Sequence, residues 1–167
     1  MGKRREERCL DDLQRLIAVE EIKKLKSRYF RALDKKDWDA FAANFTEDII
    51  FDFTESDSGE DVDKLVHHVY RVEGAIQAAE WARDALGDAV TSHHGHMPDI
   101  DIVDEESATG IWSLNDQIWF PDGIEFRYSK LEGYGHYEEK YKKVNGVWKV
   151  SMAKFVRHHA VWTVRPN

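Results

Sequence analysis

The second half of the sequence is dominated by a period of two. After Gly87 the residues either alternate between apolar and polar or are rich in β-branched and aromatic types. Successive side chains of a strand point to opposite faces, so this pattern predicts β-strands. Turn residues at 104–107, 121–123 and 145–146 separate them, and Asn145-Gly146 is the strongest hairpin signal. We expect an antiparallel meander of four stretches: 90–103, 108–120, 126–141 and 147–164.

The first half has a helical period. Between residues 10 and 33, apolar side chains recur mostly at steps of three and four, which predicts an amphipathic helix. The step of five from Ile17 to Ile22 predicts a bend or break near Val19-Glu20. The opposite, solvated face is expected to carry the basic residues Lys23, Lys24, Lys26 and Arg31.

Shorter elements are expected between this helix and the meander. Asp37 is a predicted N-cap for a second helix over 38–44. Residues 49–53 predict a strand, 54–63 an acidic loop, and 65–72 either a strand or a helical turn. A helix over 73–86 is expected to end at Gly87.

Helices followed by an antiparallel sheet indicate an α+β fold, with the helices on one face. A strongly curved, mostly antiparallel sheet with helices against its concave side would enclose a cone-shaped cavity. Such a sheet could bulge or bend at the glycines inside its strands, namely Gly95, Gly110, Gly133 and Gly135.

Length and composition narrow the class of protein. A chain of 167 residues, 42% of them hydrophobic, fits a single domain over 1–167. Its net charge of −8 argues against a nucleic-acid partner. No apolar run reaches the roughly 18 residues of a membrane span, and Cys9 is the only cysteine. We expect a cytoplasmic protein that does not bind a membrane.

The stretch 91–98 contains three histidines in four residues. Histidine exchanges protons near neutral pH, so His93, His94 and His96 are candidates for acid–base chemistry. In a regular strand His94 and His96 share one face and His93 takes the other. A bulge at Gly95 could reset that parity, so strand geometry leaves open which histidine faces the interior.

Three other residues could complete a proton-transfer site. Asp34 lies near the end of the first helix, where the helix dipole disfavours an acid. Tyr29 lies five residues earlier, about 140° around an ideal helix, so the two converge only if the helix is already ending. Arg157, near the end of the last strand, could hold an oxyanion or form a salt bridge.

Two other chemistries are disfavoured. The three histidines could bind a metal, but the sequence lacks an H-x-x-x-H or cysteine partner for them. A serine hydrolase would show G-x-S-x-G, which is absent from the sequence. The six tryptophans are mostly expected in the core, although an apolar pocket would also use some.

Several motifs together resemble one family. The chain is similar to SnoaL-like proteins of the nuclear-transport-factor-2-like (NTF2-like) superfamily, which have a cystatin-like α+β cone, over a core of about 12–160. Within the superfamily the resemblance is closest to bile-acid 7α-dehydratase, and more distant to scytalone dehydratase and hexachlorocyclohexane dehydrochlorinase. It is carried by Tyr29-Phe30-x-x-Leu33-Asp34-x-x-x-Trp38, His93-x-Gly95-His96-x-Pro98, Ala108-Thr109-Gly110-x-Trp112 and Asn145-Gly146-x-Trp148.

The resemblance implies roles for these residues. His93 matches the histidine base, Asp34 the aspartate that orients it, Tyr29 the tyrosine and Arg157 the arginine of the bile-acid enzyme. Asp116 also matches an acid in that enzyme. Together with His96 and Trp112, it is predicted to contact substrate.

The implied function is a lyase without cofactor or metal, a dehydratase acting on a hydrophobic, polycyclic hydroxy-carbonyl compound through a His-Asp dyad. The alternatives are an isomerase or cyclase with the same base, a protein that only binds small molecules, and a structural subunit. The resemblance also implies a homo-oligomer, with a trimer favoured over a dimer.

Overall fold

The computed structural model describes residues 10–56, 70–124 and 126–166. The predicted loop beyond Ser56 and most of the 65–72 segment lie outside these residues. The described residues form three helices and six strands. In chain order they are α1 (Asp12–Asp34), α2 (Trp38–Ala42), β1 (Phe45–Glu55), β2 (Arg71–Glu73), α3 (Ala75–Leu86), β3 (Val90–Ile102), β4 (Ser107–Trp119), β5 (Tyr128–Val144) and β6 (Val147–Val164).

The six strands form one open, curved, mixed sheet in the order β2-β1-β6-β5-β4-β3. The last four strands form the predicted antiparallel meander. Strand β1 extends this sheet by pairing in parallel with β6. Turn motifs in the sequence predict hairpins between neighbouring strands and therefore did not predict this pairing. Asn145 and Gly146 have φ values of 50° and 80°, which a tight β5–β6 hairpin turn requires. The predicted α+β architecture is therefore confirmed.

A bend or a break was predicted near Val19-Glu20, and the break is wrong because helix α1 is continuous from Asp12 to Asp34. Its buried face runs through Ala18, which is 4% exposed, and from there to Ile22 in an ordinary step of four. Ile17, which the apolar pattern placed on that face, is 49% exposed. The alanine at position 18 continues the buried face at helical spacing, although the larger apolar residues alone leave a step of five.

The prediction that Lys26 is solvated is also wrong. Lys26 lies four residues after Ile22 and four before Phe30, so it belongs to the buried face. Its Nζ donates to Glu139 on β5 at 2.5 Å, and both side chains are essentially inaccessible to solvent. Glu139 also accepts from the Tyr141 hydroxyl, which in turn accepts from the Trp112 indole at 2.7 Å. This buried network joins α1 to β4 and β5.

The sheet has an inner face that packs on the helices and an outer face. In β4 the buried positions alternate from Ala108 through Trp112 and Asp116 to Ile118. Because His93 pairs in register with Asp116, it lies on the inner side, whereas His94 and His96 lie on the outer side. The register is continuous through Gly95, so the bulge considered there does not occur. The register of β3 shifts after His96 instead.

The buried Lys26–Glu139 pair gives a stability prediction. Glu139→Gln keeps the shape of the side chain but leaves a buried lysine without its counter-ion, which typically destabilises a protein by about 3–5 kcal/mol. The double variant Lys26→Met, Glu139→Gln removes both charges, keeps an acceptor for the Tyr141 hydroxyl and is expected to recover most of that loss. Urea denaturation of both variants and of wild type measures these free energies of unfolding.

The same helix offers a matched control. Lys23 and Glu20 are joined at 2.6 Å, but their side chains are 41% and 60% exposed. Glu20→Gln is expected to leave the free energy of unfolding essentially unchanged, because water solvates both charges. Equal losses for Glu139→Gln and Glu20→Gln would contradict the argument.

Candidate active site

The Asp34 carboxylate contacts the His93 imidazole. His93 Nδ1 lies 2.6 Å from Asp34 Oδ1, and the His93 backbone N–H donates to Asp34 Oδ2 at 3.1 Å. Asp34 is the last residue of α1 and His93 lies on the inner side of β3, so the contact joins helix to sheet. The His93 side chain is only 7% exposed and that of Asp34 is 26% exposed.

This geometry fixes what the imidazole can do. An ionised carboxylate only accepts hydrogen bonds, so Nδ1 carries a proton, and in the neutral imidazole the lone pair is on Nε2. Nε2 has no hydrogen-bond partner within the ranges that the structure describes. The Phe30 ring lies almost parallel to the imidazole, with centroids 6.2 Å apart. This arrangement can hold an imidazole in one orientation with its second nitrogen available to accept a proton.

Several donors keep Asp34 ionised. Burial alone would raise the pKa of this carboxyl. Hydrogen bonds from the His93 side chain and backbone, the charge that His93 carries when it is protonated, and a hydrogen bond from Thr91 outweigh burial and lower the pKa below its ordinary value. These donors offset the unfavourable position of an acid at a helix C-terminus.

A second ion pair lies on the strands beside the dyad. Arg157 on β6 donates to Asp116 on β4 through two nitrogens, at 3.2 and 3.0 Å, and both side chains are buried. Gly133 on β5 lies between them. A Cβ at this glycine would sit 1.5 Å from Arg157 Nη1 and 2.1 Å from Asp116 Oδ1, so a larger residue is incompatible with the pair. Arg157 Nε is also buried and lacks a partner among the described residues.

The structure does not bring Tyr29 into contact with His93. Helix α1 stays regular through Asp34, so the angle between positions 29 and 34 persists and Phe30 takes the place beside the imidazole. Tyr29 lies instead among the rings of Phe41, Phe45 and Tyr137. Burial, reinforced by the charge of Glu139, raises the pKa of Tyr29, so its hydroxyl stays protonated.

The predicted contacts His96 and Trp112 lie apart from the dyad. His96 is exposed on the outer side of the sheet, where its Nε2 lies 2.6 Å from Asn115 Oδ1. Strand parity separates it from His93, so the structure does not support a substrate contact for it. Trp112 is buried in the core and its indole nitrogen is bonded to Tyr141.

Sequence reasoning missed Phe30 and Thr91 as parts of this site. Thr91 lies two residues before His93, so strand period places both side chains on one face. Phe30 lies four residues before Asp34, on an adjacent turn of α1. Both spacings were readable from the sequence once His93 and Asp34 were paired.

The described part of the chain contains no group of three or more histidine, cysteine, aspartate or glutamate side chains arranged to hold a metal ion. Nor does any helix within it combine the length and apolar character needed to cross a membrane.

The helices lie on one face of the sheet, and the His93–Asp34 pair joins α1 to β3. Residues 14–154 match the SnoaL-like domain family. This chain is a SnoaL-like protein. The match covers the segment from α1 to β6, including Asp34 and His93.

Solved structures agree on the fold of this SnoaL-like protein. A protein of Novosphingobium aromaticivorans provisionally assigned as a scytalone dehydratase superposes with a TM-score of 0.75 at 20% identity, covering 93% of this chain and 94% of its own. A type 2 hexachlorocyclohexane dehydrochlorinase gives a TM-score of 0.72 at 18% identity, with coverages of 93% and 98%. The type 3 enzyme of Novosphingobium barchaimii gives 0.70 at 18%, with coverages of 94% and 100%.

The lowered pKa of Asp34 predicts a pH dependence of stability in this SnoaL-like protein. The pKa is lower in the folded state than in the unfolded chain, where it is about 3.9. Its contribution is therefore complete above the unfolded pKa and is lost as the pH falls through the folded pKa. The stability difference between wild type and Asp34→Asn should shrink as the pH falls below about 4.

Urea denaturation over a pH series measures this difference. Asp101→Asn, which replaces an exposed aspartate of β3, provides the background for a lost surface carboxylate. A difference for Asp34→Asn that stays constant down to the most acidic point would contradict the assignment of Asp34 as an ionised acceptor.

Proposed function

We propose that this SnoaL-like protein is a cofactor-independent lyase that removes water from a hydrophobic, polycyclic hydroxy-carbonyl compound, with His93 as the base. The observation that carries the proposal is the 2.6 Å contact between His93 Nδ1 and Asp34, which leaves Nε2 as the available lone pair. The family also contributes, since relatives of the same fold include proteins named as a dehydratase and as dehydrochlorinases.

The proposed reaction is an elimination. His93 Nε2 removes a proton from the carbon next to the substrate carbonyl, and the electron pair of the broken C–H bond moves into an enolate. The enolate then expels the hydroxyl group from the neighbouring carbon, forming the carbon–carbon double bond. The imidazolium, stabilised by Asp34, returns the proton to the departing hydroxide, so water leaves and His93 regains its starting state.

The enolate oxygen requires hydrogen-bond donors in a site that excludes water. Arg157 Nε is a buried donor without a protein partner among the described residues, and we propose that it serves this oxygen. Asp116 takes the other guanidinium nitrogens and holds the arginine in place.

Aromatic side chains near His93 and Arg157 support the proposed substrate class. Phe30 covers one face of His93, and Tyr137 and Phe155 pack edge to face beside Arg157. Trp81 on α3 stacks on Phe53 with centroids 4.4 Å apart. Aromatic walls with a few polar groups suit a flat, apolar compound with one or two oxygens.

Activity on a panel of hydroxylated ketones and thioesters tests the proposal. Mass spectrometry should detect a product lighter by one water. His93→Asn should lower kcat/KM about 100-fold or more, the usual contribution of a positioned base. His94→Asn, which changes the adjacent, outward-facing histidine, is the matched control and should retain activity.

The other outcomes separate the alternatives. A product of unchanged mass that requires His93 would identify an isomerase or cyclase. Tight ligand binding without turnover, unaffected by His93→Asn, would identify a binding protein and overturn the lyase proposal.

We also propose that the protein is a homo-oligomer, a trimer in preference to a dimer, which packs through the outer side of the sheet. That side exposes Ile111, Tyr134 and Val161 at 49%, 43% and 41%. Light scattering coupled to gel filtration should give a mass close to three chains. Tyr134→Lys, at the centre of the sheet, should reduce the mass toward one chain, and a wild-type monomer would contradict this proposal.

A further inference from the structure

A third hydrogen bond to Asp34 comes from Thr91, and Thr91 links Asp34 to a lysine. The Thr91 hydroxyl contacts Asp34 Oδ1 at 2.9 Å, and Lys36 Nζ contacts the same hydroxyl oxygen at 2.9 Å. Thr91 is 7% exposed, so water has little access to the link. Lys36, Thr91, Asp34 and His93 thus form one continuous chain of hydrogen bonds, which we call the Lys36–His93 relay.

The donor and the acceptor of each hydrogen bond in the relay follow from two groups, the Lys36 ammonium, which only donates, and the Asp34 carboxylate, which only accepts. A lysine ammonium can only donate, so Lys36 occupies an acceptor site of the Thr91 oxygen. The Thr91 proton is then directed at Asp34. Asp34, an ionised acceptor, receives the hydroxyl of Thr91 and the Nδ1–H of His93 on the same oxygen. The relay therefore favours one imidazole tautomer, with the lone pair on Nε2.

The backbone conformation at Lys36 is fixed by the hydrogen bonds that end helix α1. The Lys36 N–H bonds to Leu33 O and the Asp37 N–H to Ala32 O, which is the Schellman ending of a helix. Lys36 occupies the left-handed position of that motif, with φ of 60°, where glycine is favoured. A lysine in this position is conformationally unfavourable, and its side chain is directed to Thr91.

We propose that Lys36 and Thr91 are positioning residues that fix the tautomer and basicity of His93 through Asp34. This inference rests on the proposed function only in treating His93 as a base. The positive charge of Lys36 partly neutralises the Asp34 carboxylate, which would stabilise a protonated His93. Lys36 therefore opposes protonation of the imidazole. Lys36 thereby helps to keep the base in its neutral, proton-accepting form.

The surroundings of Lys36 are consistent with this role. Burial lowers the pKa of Lys36, and the charge of Asp34 partly offsets that effect. The other charged groups beside His93 are Asp116 on β4 and Arg157 on β6, which neutralise each other. Lys26 lies on Phe30 and is paired with Glu139. Among the residues that the structure describes, Lys36 is the lysine linked to Asp34 through Thr91, so its removal changes the charge balance at Asp34.

Nitrogen NMR of the histidine side chains tests the relay without any substrate. The His93 signals are assigned from their loss in His93→Asn. In wild type, above the titration midpoint, they should show a protonated Nδ1 and an unprotonated Nε2. Lys36→Met keeps an unbranched side chain of similar length but removes the charge, so the titration midpoint of the His93 signals should move up by about 0.5–1 pH unit.

Thr91 variants test the hydrogen bond itself. Thr91→Val preserves shape but removes the donor to Asp34, so the tautomer preference of His93 should weaken, with a second population protonated at Nε2. Thr91→Ser keeps the hydroxyl and should restore the wild-type signals. Lys35→Met removes the adjacent lysine, which lines a surface cleft with Asp37 and Trp148, and should change neither readout.

One further variant separates positioning from stability. Lys36→Gly suits the left-handed backbone, so it should raise Tm while shifting the His93 midpoint as Lys36→Met does. A purely structural role predicts changes in Tm with unaltered His93 signals, and that result would overturn the inference. If the signals shift as expected but His93→Asn retains dehydratase activity, the relay stands and the proposed lyase mechanism fails.

Discussion

Helix α1 packs along the inner face of the sheet through a row of buried side chains, and the candidate site follows from that packing. Ile22, Leu25, Tyr29 and Leu33 fix its rotation and its position along the strands. With those anchors in place, the final residue of the helix, Asp34, meets the inward-facing side chains of β3. The hydrogen bond to His93 joins two elements that the hydrophobic core has already positioned.

The buried Lys26–Glu139 pair adds specificity to the same packing. Apolar contacts tolerate small sliding motions of a helix on a sheet, whereas an ion pair in the core has one satisfactory arrangement and a large penalty for any other. Glu139 is further fixed by Tyr141, and Tyr141 by Trp112. We interpret this network as fixing the position of α1 along the sheet, which keeps Asp34 at hydrogen-bond distance from His93.

A carboxylate at the C-terminus of a helix is unfavourable by itself, and here the unfavourable position serves the site. The dipole and partial burial disfavour the charge, so Asp34 needs the donors that β3 supplies. Those donors orient the imidazole at the same time. The Asp116–Arg157 pair follows the same logic on the strands, where Gly133 leaves the space for two charges to meet.

The sequence by itself determined the order and type of most elements and the β5–β6 hairpin at Asn145-Gly146, whereas strand parity left open which of the three histidines faces the interior until the family resemblance selected His93. The elements and the hairpin depend on local periodicity and turn chemistry, which neighbouring residues carry. The resemblance to SnoaL-like proteins added the choice of Asp34 as partner of His93. The burial of Lys26, the parallel pairing of β1 with β6, the place of Phe30 beside His93 and the link from Lys36 to Thr91 were decided by the tertiary structure. Each depends on contacts between residues far apart in the chain, and no local pattern encodes which distant side chain will neutralise a charge or fill a space.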